Sequence, residues 1–349
     1  MRSLRSPSVR NLASQLILLS ALLGFVSSTT LCWAQEAAPA SVAMRPLITQ
    51  PIDESQLTTL KGNTHPLARP VFDIGTAPAT LPMERMLLVL KRSPQQEASL
   101  RSLLDNQQDK GSSNYHKWLT PDQFGKQFGP ADDDMQKITA WLQSHGFQVG
   151  TTKGRTVLEF SGSASQVQQA FHTTIHRYVV NGEQHWANAS DPKIPTALTP
   201  VVAGVFTLHN FVKKAMHRVA KERFEATLRP GKPPLFTAGN GLHALAPADF
   251  ATIYNVAPLY TATTPITGSG ISIGVVGRSD IIAQDITDFR NVFAISGPAP
   301  QIIVNGPDPG DVPGDDLEAT LDVSWSGGVA PGAQVYFVNS GTTNTTDGV

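Results

Sequence analysis

Cysteine is almost absent from this 349-residue sequence, since Cys32 is the only one. A single cysteine cannot form an intrachain disulfide, so we expect no disulfide framework. The chain also lacks an excess of positive charge, because 27 Lys and Arg residues stand against 28 Asp and Glu residues. Nucleic-acid binding requires a sustained basic surface that displaces counterions from phosphates. The composition therefore gives no reason to expect nucleic acid as a partner.

Long hydrophobic runs are scarce as well. The apolar run over 16–25 is too short for a membrane-spanning helix, which needs about 20 apolar residues, and no comparable run follows it. The run follows three basic residues, Arg2, Arg5 and Arg10. This order is typical of a signal peptide, and we expect residues 1–34 to be removed after Ala34, taking Cys32 with them. A membrane anchor is the alternative, but the pattern favours a secreted protein without a stable membrane anchor.

Composition divides the rest of the chain into four segments. Residues 35–81 are rich in Ala, Pro, Thr and Ser without a period, which predicts a flexible lead segment. Residues 82–211 carry regular patterns and form a first domain. Residues 212–244 are basic and contain Pro-Gly and Pro-Pro, so we expect an exposed linker with a processing site; nucleic-acid binding is the weaker alternative. Residues 245–349 form the start of a second domain.

Helices and antiparallel strands are predicted within 82–211. The run 86–91 is typical of a buried strand, and Ser93-Pro94 with Gln96 is typical of a capped helix start. Asn181-Gly182 between two apolar stretches indicates a hairpin turn. The order of elements predicts an α+β domain, with a ferredoxin-like antiparallel sheet and helices on one face.

Strands and helices alternate after residue 245. Buried strands are predicted near 270–276, 301–304 and 334–338, with helices between them. This alternation is typical of an α/β domain with a parallel sheet. About a hundred residues are too few to complete such a domain, so we expect it to be truncated at Val349.

Two acids in the helix predicted over 315–325 are the candidate catalytic residues. Glu318 and Asp322 are four residues apart and therefore share one helix face. A partly buried pair of this kind raises one pKa, which suits acid-base chemistry. A solvated helix face is the alternative that spacing alone favours.

Local sequence around these acids resembles the sedolisin and kumamolisin-like family of serine-carboxyl peptidases. The similar motifs are Glu318-x-x-Leu321-Asp322-Val323-x-Trp325, the following 330–337, Asn114-Tyr115-His116-Lys117-Trp118, Phe124-Gly125-x-x-Phe128-Gly129 and His185-Trp186-Ala187-Asn188. The resemblance covers nearly everything after the signal. It implies that 82–211 is an activation prosegment, similar to that of pro-kumamolisin, and that 245–349 begins a subtilisin-like domain.

The resemblance also assigns roles. Glu318 matches the general base that takes the proton of a nucleophilic serine, and Asp322 matches its partner. The chain contains no Ser-Gly-Thr-Ser-x-x-x-Pro motif for the nucleophile and no oxyanion aspartate, so we expect both beyond Val349. The Ser-Gly-Thr-Thr sequence at 340–343 follows the acids too closely and is interpreted as a loop at a strand end. No cofactor is expected within this chain, and the calcium site of the family is expected beyond Val349.

Two functions follow from the resemblance. The first is a secreted, acid-active endopeptidase zymogen, whose substrates are peptides or proteins and whose prosegment packs on the catalytic domain. The chain alone, lacking the serine, is expected to be inactive. The alternative is a noncatalytic prosegment module that inhibits a related peptidase or assists its folding.

Other candidate sites are weaker. His172 and His176 are four residues apart but lack the glutamate of a His-Glu-x-x-His helix. The acidic loop formed by Asp308, Asp311, Asp315 and Asp316 departs from EF-hand spacing, which favours a solvated loop over a calcium site. Some family members carry a further acid where this sequence has Val275 or Val276, so an extended acid network is not expected.

Overall fold

A computed structural model gives the fold. The described residues are 44–150, 153–213, 236–237, 243–344 and 347–349. The predicted signal peptide over 1–34 and most of the predicted linker over 212–244 lie outside them. We refer to residues 44–213 as the N-terminal region and to residues 243–349 as the C-terminal region.

Regular structure occurs within 44–81, part of the segment for which composition predicts flexibility. Ile48 is fully buried, and its backbone N–H donates to the carboxylate of buried Asp134 at 2.8 Å. Strand β1 (Leu57–Thr59) pairs antiparallel with residues 193–195. Such a short strand is stable only beside its distant partner, which explains why local composition gives no sign of it.

The remaining elements of the N-terminal region follow in chain order. After the 3-10 helix Pro70–Phe72, the strands are β2 (Asp73–Thr76), β3 (Pro82–Leu90), β4 (Gln148–Val149), β5 (Val157–Ser163), β6 (Ile175–Val180), β7 (Glu183–Asn188), β8 (Lys193–Pro195) and β9 (Val202–Phe206). The helices are α1 (Pro94–Gln108), α2 (Pro121–Phe128), α3 (Asp132–Ser144) and α4 (Ala164–Phe171).

An antiparallel sheet with the order β4-β5-β3-β9 is the centre of this region. With its helices the chain follows the β-α-β-β-α-β order that the sequence predicts. A second sheet has the order β2-β6-β7, and its β6-β7 hairpin turns at Asn181 and Gly182, whose φ angles are 51° and 82°. The predicted hairpin is confirmed.

Local sequence sets the helix starts. The Ser93 hydroxyl accepts the backbone N–H of Gln96 at 3.2 Å, and the Gln96 side chain accepts the backbone N–H of Ser93 at 2.9 Å. Thr120 and Gln123 make the same reciprocal pair at the start of α2. Each cap satisfies backbone donors that the helix itself leaves open, which stabilises it by about 1 kcal/mol.

One apolar cluster joins the central sheet to its helices. Its members include Met86, Leu88, Ile138, Trp141, Leu142, Phe147, Phe160, Val167 and Phe171. The aromatic rings of Trp141 and Phe171 meet edge to face, with centroids 5.4 Å apart. Burying one such side chain contributes about 1.5–3 kcal/mol, so this cluster accounts for most of the stability of the N-terminal region.

A parallel sheet forms the C-terminal region. A short antiparallel pair, β10 (Phe236–Thr237) and β11 (His243–Ala244), precedes it. The elements that follow are α5 (Pro247–Ile253), α6 (Ala257–Tyr260), β12 (Ser272–Gly277), α7 (Ala283–Val292), β13 (Gln301–Val304), α8 (Asp315–Val329) and β14 (Gln334–Asn339). Strand β14 lies between β12 and β13 and runs parallel to both, so the predicted parallel pairing is confirmed. None of the helices in the described residues has the length and apolar run that crossing a bilayer requires.

Candidate active site

Helix α8 begins beside the carboxyl end of β12. Gly314, the residue before it, has a φ of 96°, a backbone conformation that favours glycine. Asp315, Asp316 and Glu318 stand in the first turn, where the positive end of the helix dipole stabilises carboxylates. The fold therefore concentrates negative charge at this end of the parallel sheet.

Glu318 and Asp322 line one cavity of about 730 Å³. Desolvation raises the pKa of Asp322, and the negative charge of Glu318 raises it further. The pair thus has the electrostatic coupling expected of partly buried acids, with one carboxyl that holds its proton to higher pH than an isolated aspartate. Such a pair can accept and return a proton in acid.

Arg278 is a member of this site that the sequence did not reveal. It follows β12, and its guanidinium donates to the Asp315 carboxylate at 2.8 and 3.2 Å and to the Asp347 carboxylate at 3.1 Å. Since Asp315 is the first residue of α8, the guanidinium fixes the start of the acid-bearing helix against the end of the strand. The available signal in the sequence was an arginine just after a predicted buried strand, a position at which a charged side chain can reach a site at the end of the sheet.

Apolar residues also line this cavity. Val276 lines the cavity, whereas Val275 packs against the small core of the C-terminal region. Of the two positions where some family members carry a further acid, Val276 is therefore the one that faces the acid pair. This position supplies no additional carboxylate.

The end of the N-terminal region reaches the same cavity. Lys213 lines it together with the two acids. Lys213 and Val212 also line a neighbouring cavity of about 730 Å³, whose other walls include Pro307 and Thr342. The tail of the N-terminal region therefore lies beside the candidate catalytic pair.

The loop after β14 docks on the N-terminal region. The Asn344 side-chain oxygen accepts the backbone N–H of Glu84 at 3.1 Å, and its amide donates to the carbonyl of Pro82. The Trp186 indole N–H donates to the backbone carbonyl of Asn344 at 2.8 Å. Trp186 belongs to the His-Trp-Ala-Asn motif, so this motif supplies a contact between the two regions.

Ser340 takes part in the same contact. Its side chain is buried, and its hydroxyl accepts a hydrogen bond from the Arg85 guanidinium at 3.1 Å. Ser340 directly follows β14 and does not line the cavity of Glu318 and Asp322. This position agrees with its interpretation as part of a strand-end loop.

The weaker candidate sites do not come together. His176 Nδ1 lies 2.8 Å from Asp73 Oδ2, whereas His172 is exposed at the end of α4. The acids of the loop before α8 bind nearby groups separately: Asp308 accepts the Gly310 N–H, and Asp316 accepts the Gly314 N–H. Within the described residues, no group of three or more His, Cys, Asp or Glu side chains has the arrangement of a metal site.

Comparison with known proteins places these features in a family. A model described as the pro-kumamolisin activation domain matches residues 72–211. Sedolisin from Pseudomonas sp. (strain 101) is 27% identical over 268 residues, and xanthomonalisin from Xanthomonas sp. (strain T-22) is 29% identical over 201 residues. Kumamolisin from Bacillus sp. (strain MN-32) is 27% identical over 236 residues. These matches support a sedolisin-like family member, in which residues 72–211 are similar to the activation domain.

The matches to these sedolisin-like peptidases cover more of this chain than of the relatives. They cover 74% of this chain and 43% of sedolisin, 57% and 23% for xanthomonalisin, and 63% and 39% for kumamolisin. The chain thus spans less than half the length of each. The matching activation domain begins at residue 72, ahead of the predicted boundary at 82, which agrees with the order seen in the 3-10 helix and β2.

Proposed function

We propose that this chain belongs to a secreted, acid-active serine-carboxyl endopeptidase zymogen. In this proposal, residues 82–211 are the core of the activation prosegment, and residues 245–349 begin a subtilisin-like catalytic domain. The observation that carries the proposal is the cavity that Glu318 and Asp322 share with Lys213, two residues after the proposed prosegment. This position supports a zymogen in which the end of the prosegment lies beside the acids that perform the chemistry.

Glu318 is the general base in the proposed reaction. It takes the hydroxyl proton as a serine oxygen attacks the peptide carbonyl carbon, and it returns that proton to the leaving amine. Asp322, one helical turn away, orients Glu318 and shares its proton. Arg278 acts through Asp315 by fixing the first turn of the helix. The serine and the oxyanion aspartate are the parts that the resemblance assigns beyond Val349.

Carboxyl chemistry accounts for activity at low pH. An imidazole base is fully protonated in acid, whereas a carboxyl with a raised pKa still exchanges protons there. The raised pKa of Asp322 supports this assignment. Two features support the proposal that the protein is secreted. The first 34 residues contain basic residues followed by an apolar run, as a signal peptide does, and the proposed reaction is peptide cleavage.

A Glu318→Gln variant tests the catalytic assignment. The full protein that carries these residues, brought from pH 7 to pH 3, should lose its prosegment and begin to hydrolyse peptides. Glu318→Gln should reduce hydrolysis at least about 100-fold, the usual contribution of a general base. Asp285→Asn, which removes an exposed acid in the first turn of α7, is the matched control and should process normally. A Glu318→Gln protein that processes and hydrolyses normally would contradict the proposal.

The second candidate function is a prosegment that acts in trans as an inhibitor or folding assistant. The large apolar cluster favours this reading, because all of its members lie between Ile48 and Leu208 and need nothing from the C-terminal region. Purified residues 44–213 should then slow peptide hydrolysis by an active family member. Unchanged hydrolysis at saturating prosegment would rule out the inhibitory form of this function.

A further inference from the structure

Three histidines surround Phe211 at the end of the N-terminal region. The His65 ring stacks on the Phe211 ring at 4.2 Å with an interplanar angle of 6°, and the His185 ring stacks on it at 4.2 Å and 19°. The His209 ring lies 4.6 Å from that of His65. We call His65, His185, His209 and Phe211 the histidine cluster. Phe211 stands two residues before Lys213, so the cluster holds the tail that reaches the acid pair.

The hydrogen bonds of the cluster fit neutral imidazoles. His209 Nδ1 accepts the backbone N–H of Phe211 at 3.2 Å, and His65 Nδ1 accepts that of Leu67 at 3.2 Å. His185 Nδ1 is buried and has no hydrogen-bond partner among the described residues. An imidazolium ion carries hydrogen on both nitrogens. Protonation would therefore remove two acceptors and bury one unsatisfied donor.

Electrostatics within the cluster also oppose protonation. Burial, followed by the charge of His65, lowers the pKa of His209 to about 4. Burial, followed by the charge of His185, lowers the pKa of His65. Two or three positive charges on adjacent stacked rings repel one another in a partly dehydrated site. The closed cluster therefore takes up fewer protons than freely exposed histidines.

Acidic groups near the cluster favour protonation and so partly offset the lowering of the histidine pKa values. Glu183 Oε2 lies 3.9 Å from His185 Nε2. The Asp191 carboxylate accepts hydrogen bonds from the backbone of Asn63 and the hydroxyl of Thr64, just before His65. Tyr178 lies 6.5 Å from Phe211, and burial keeps its phenol protonated by raising its pKa. Lys213 adds a positive charge on the tail itself.

We propose that the histidine cluster is an acid-sensitive latch. Proton uptake by its imidazoles releases Phe211 from between His65 and His185, and this release withdraws Val212 and Lys213 from the cavity of Glu318 and Asp322. The sign follows from linkage: a histidine whose pKa is lowered in the closed state stabilises that state above its ordinary pKa. That stability is lost as pH falls from 6.5 towards about 4.

The latch is proposed to give access to the processing linker, and only this consequence rests on the proposed peptidase function. Release of the tail is a property of the folded chain and is measured without peptidase activity. Loss of the proposed activity would therefore leave the test of the latch intact.

Hydrogen exchange over residues 205–213 of the 349-residue chain tests the latch directly. After correction for the intrinsic effect of pH on exchange, protection of the Phe211 and Val212 amides should fall about tenfold or more between pH 6.5 and pH 4. Protection in β3 should persist across the same range. Unchanged protection of the tail over this range would overturn the proposal.

A double variant, His65→Asn with His209→Asn, removes two titrating groups and keeps two hydrogen-bond acceptors. The asparagine oxygen can accept the same backbone N–H groups but does not titrate. The double variant should keep its tail protected at pH values where the unmodified chain releases it. His172→Asn, at an exposed helix end with a positive φ of 50°, is the control and should behave like the unmodified chain. Release of the tail of the double variant at the same pH as that of the unmodified chain would contradict the latch.

A second measurement applies even if the double variant fails to fold. Ring-proton NMR of the unmodified chain should show at least one histidine that remains neutral well below pH 6.5 while β3 stays protected. That resonance should titrate together with the loss of tail protection. Titration of every histidine near pH 6.5, with the tail still protected, would overturn the proposal.

Discussion

Apolar residues from Ile48 to Leu208 close on one extensive core in the N-terminal region, whereas the C-terminal region has a small one. The members of the small core are Ile281, Ile286, Ala319, Val323, Val335 and Phe337. Strand residues of the parallel sheet stay open: Val276 is 61% exposed and Ile303 is 43% exposed. Parallel sheets are normally covered on both faces. The two regions therefore differ in how far each can support itself, and the N-terminal region is the stable partner.

Because the core of the C-terminal region is small, the contacts of Asn344 and Arg85 between the two regions are important for its position. The loop after β14 bonds to the start of β3, where the register between β3 and β5 shifts, and Arg85 adopts a positive φ of 57° there. These side-chain hydrogen bonds orient the parallel sheet of the C-terminal region against the central sheet of the N-terminal region. The C-terminal region is thus held in place by contacts with the N-terminal region.

The largest effect should come from a cavity in the large core. Phe171→Ala removes a fully buried ring that contacts Trp141 and Phe160, and it should lower the free energy of unfolding of the N-terminal region by about 3–5 kcal/mol. Phe337→Ala, equally buried in the small core, should leave that value unchanged. Urea unfolding followed by hydrogen exchange in β5 and β14 distinguishes the regions. Equal destabilisation of β5 by both variants would show that the regions unfold as one.

An intermediate effect is expected at the contact between the regions. Trp186→Phe keeps an aromatic ring but loses the hydrogen bond to the Asn344 carbonyl, which should weaken docking by about 1 kcal/mol or more. Hydrogen exchange of the loop over 340–344 should become faster, while that of β3 stays the same. Trp118→Phe, at a 63% exposed position, is the control. Unchanged exchange of the loop in Trp186→Phe would show that the bond does not hold the regions together.

The smallest effect should come from the open sheet. Ile303→Thr on β13 should change the free energy of unfolding of the C-terminal region by no more than about 0.5 kcal/mol, because the position is already accessible to water. Val335→Thr on β14, at a 3% exposed position, should cost about 1–3 kcal/mol by burying a hydroxyl. Denaturant titrations of both variants compare the two positions. Equal losses would indicate that the exposed face is covered in solution.

Elements with local signals could be predicted from the sequence. Ser93 with Gln96 and Asn181-Gly182 encode a helix start and a turn within a few residues, and both occur as expected. Strand β1 has no such signal, since its partner lies more than a hundred residues away at Ile194. Only the folded chain creates that pairing.

The candidate site shows the same division. Glu318 and Asp322 are four residues apart on one helix, so their shared face could be predicted, and the local sequence resemblance singled them out as a candidate pair. Arg278 becomes informative only when the parallel sheet brings it to Asp315 and Asp347. The histidine cluster likewise joins His65 to His185 and His209, which are far apart along the chain. Local patterns predict pairs within an element, whereas contacts between distant segments require the fold.

The position of acid-induced cleavage tests the central claim most directly. The full protein that carries these residues is held at pH 4, and the new amino terminus is read by mass spectrometry. The account predicts cleavage within 213–245, together with loss of that cleavage in an Asp322→Asn, Glu318→Gln double variant. Cleavage inside the core of the N-terminal region, or identical cleavage in the double variant, would contradict a prosegment held over a catalytic acid pair.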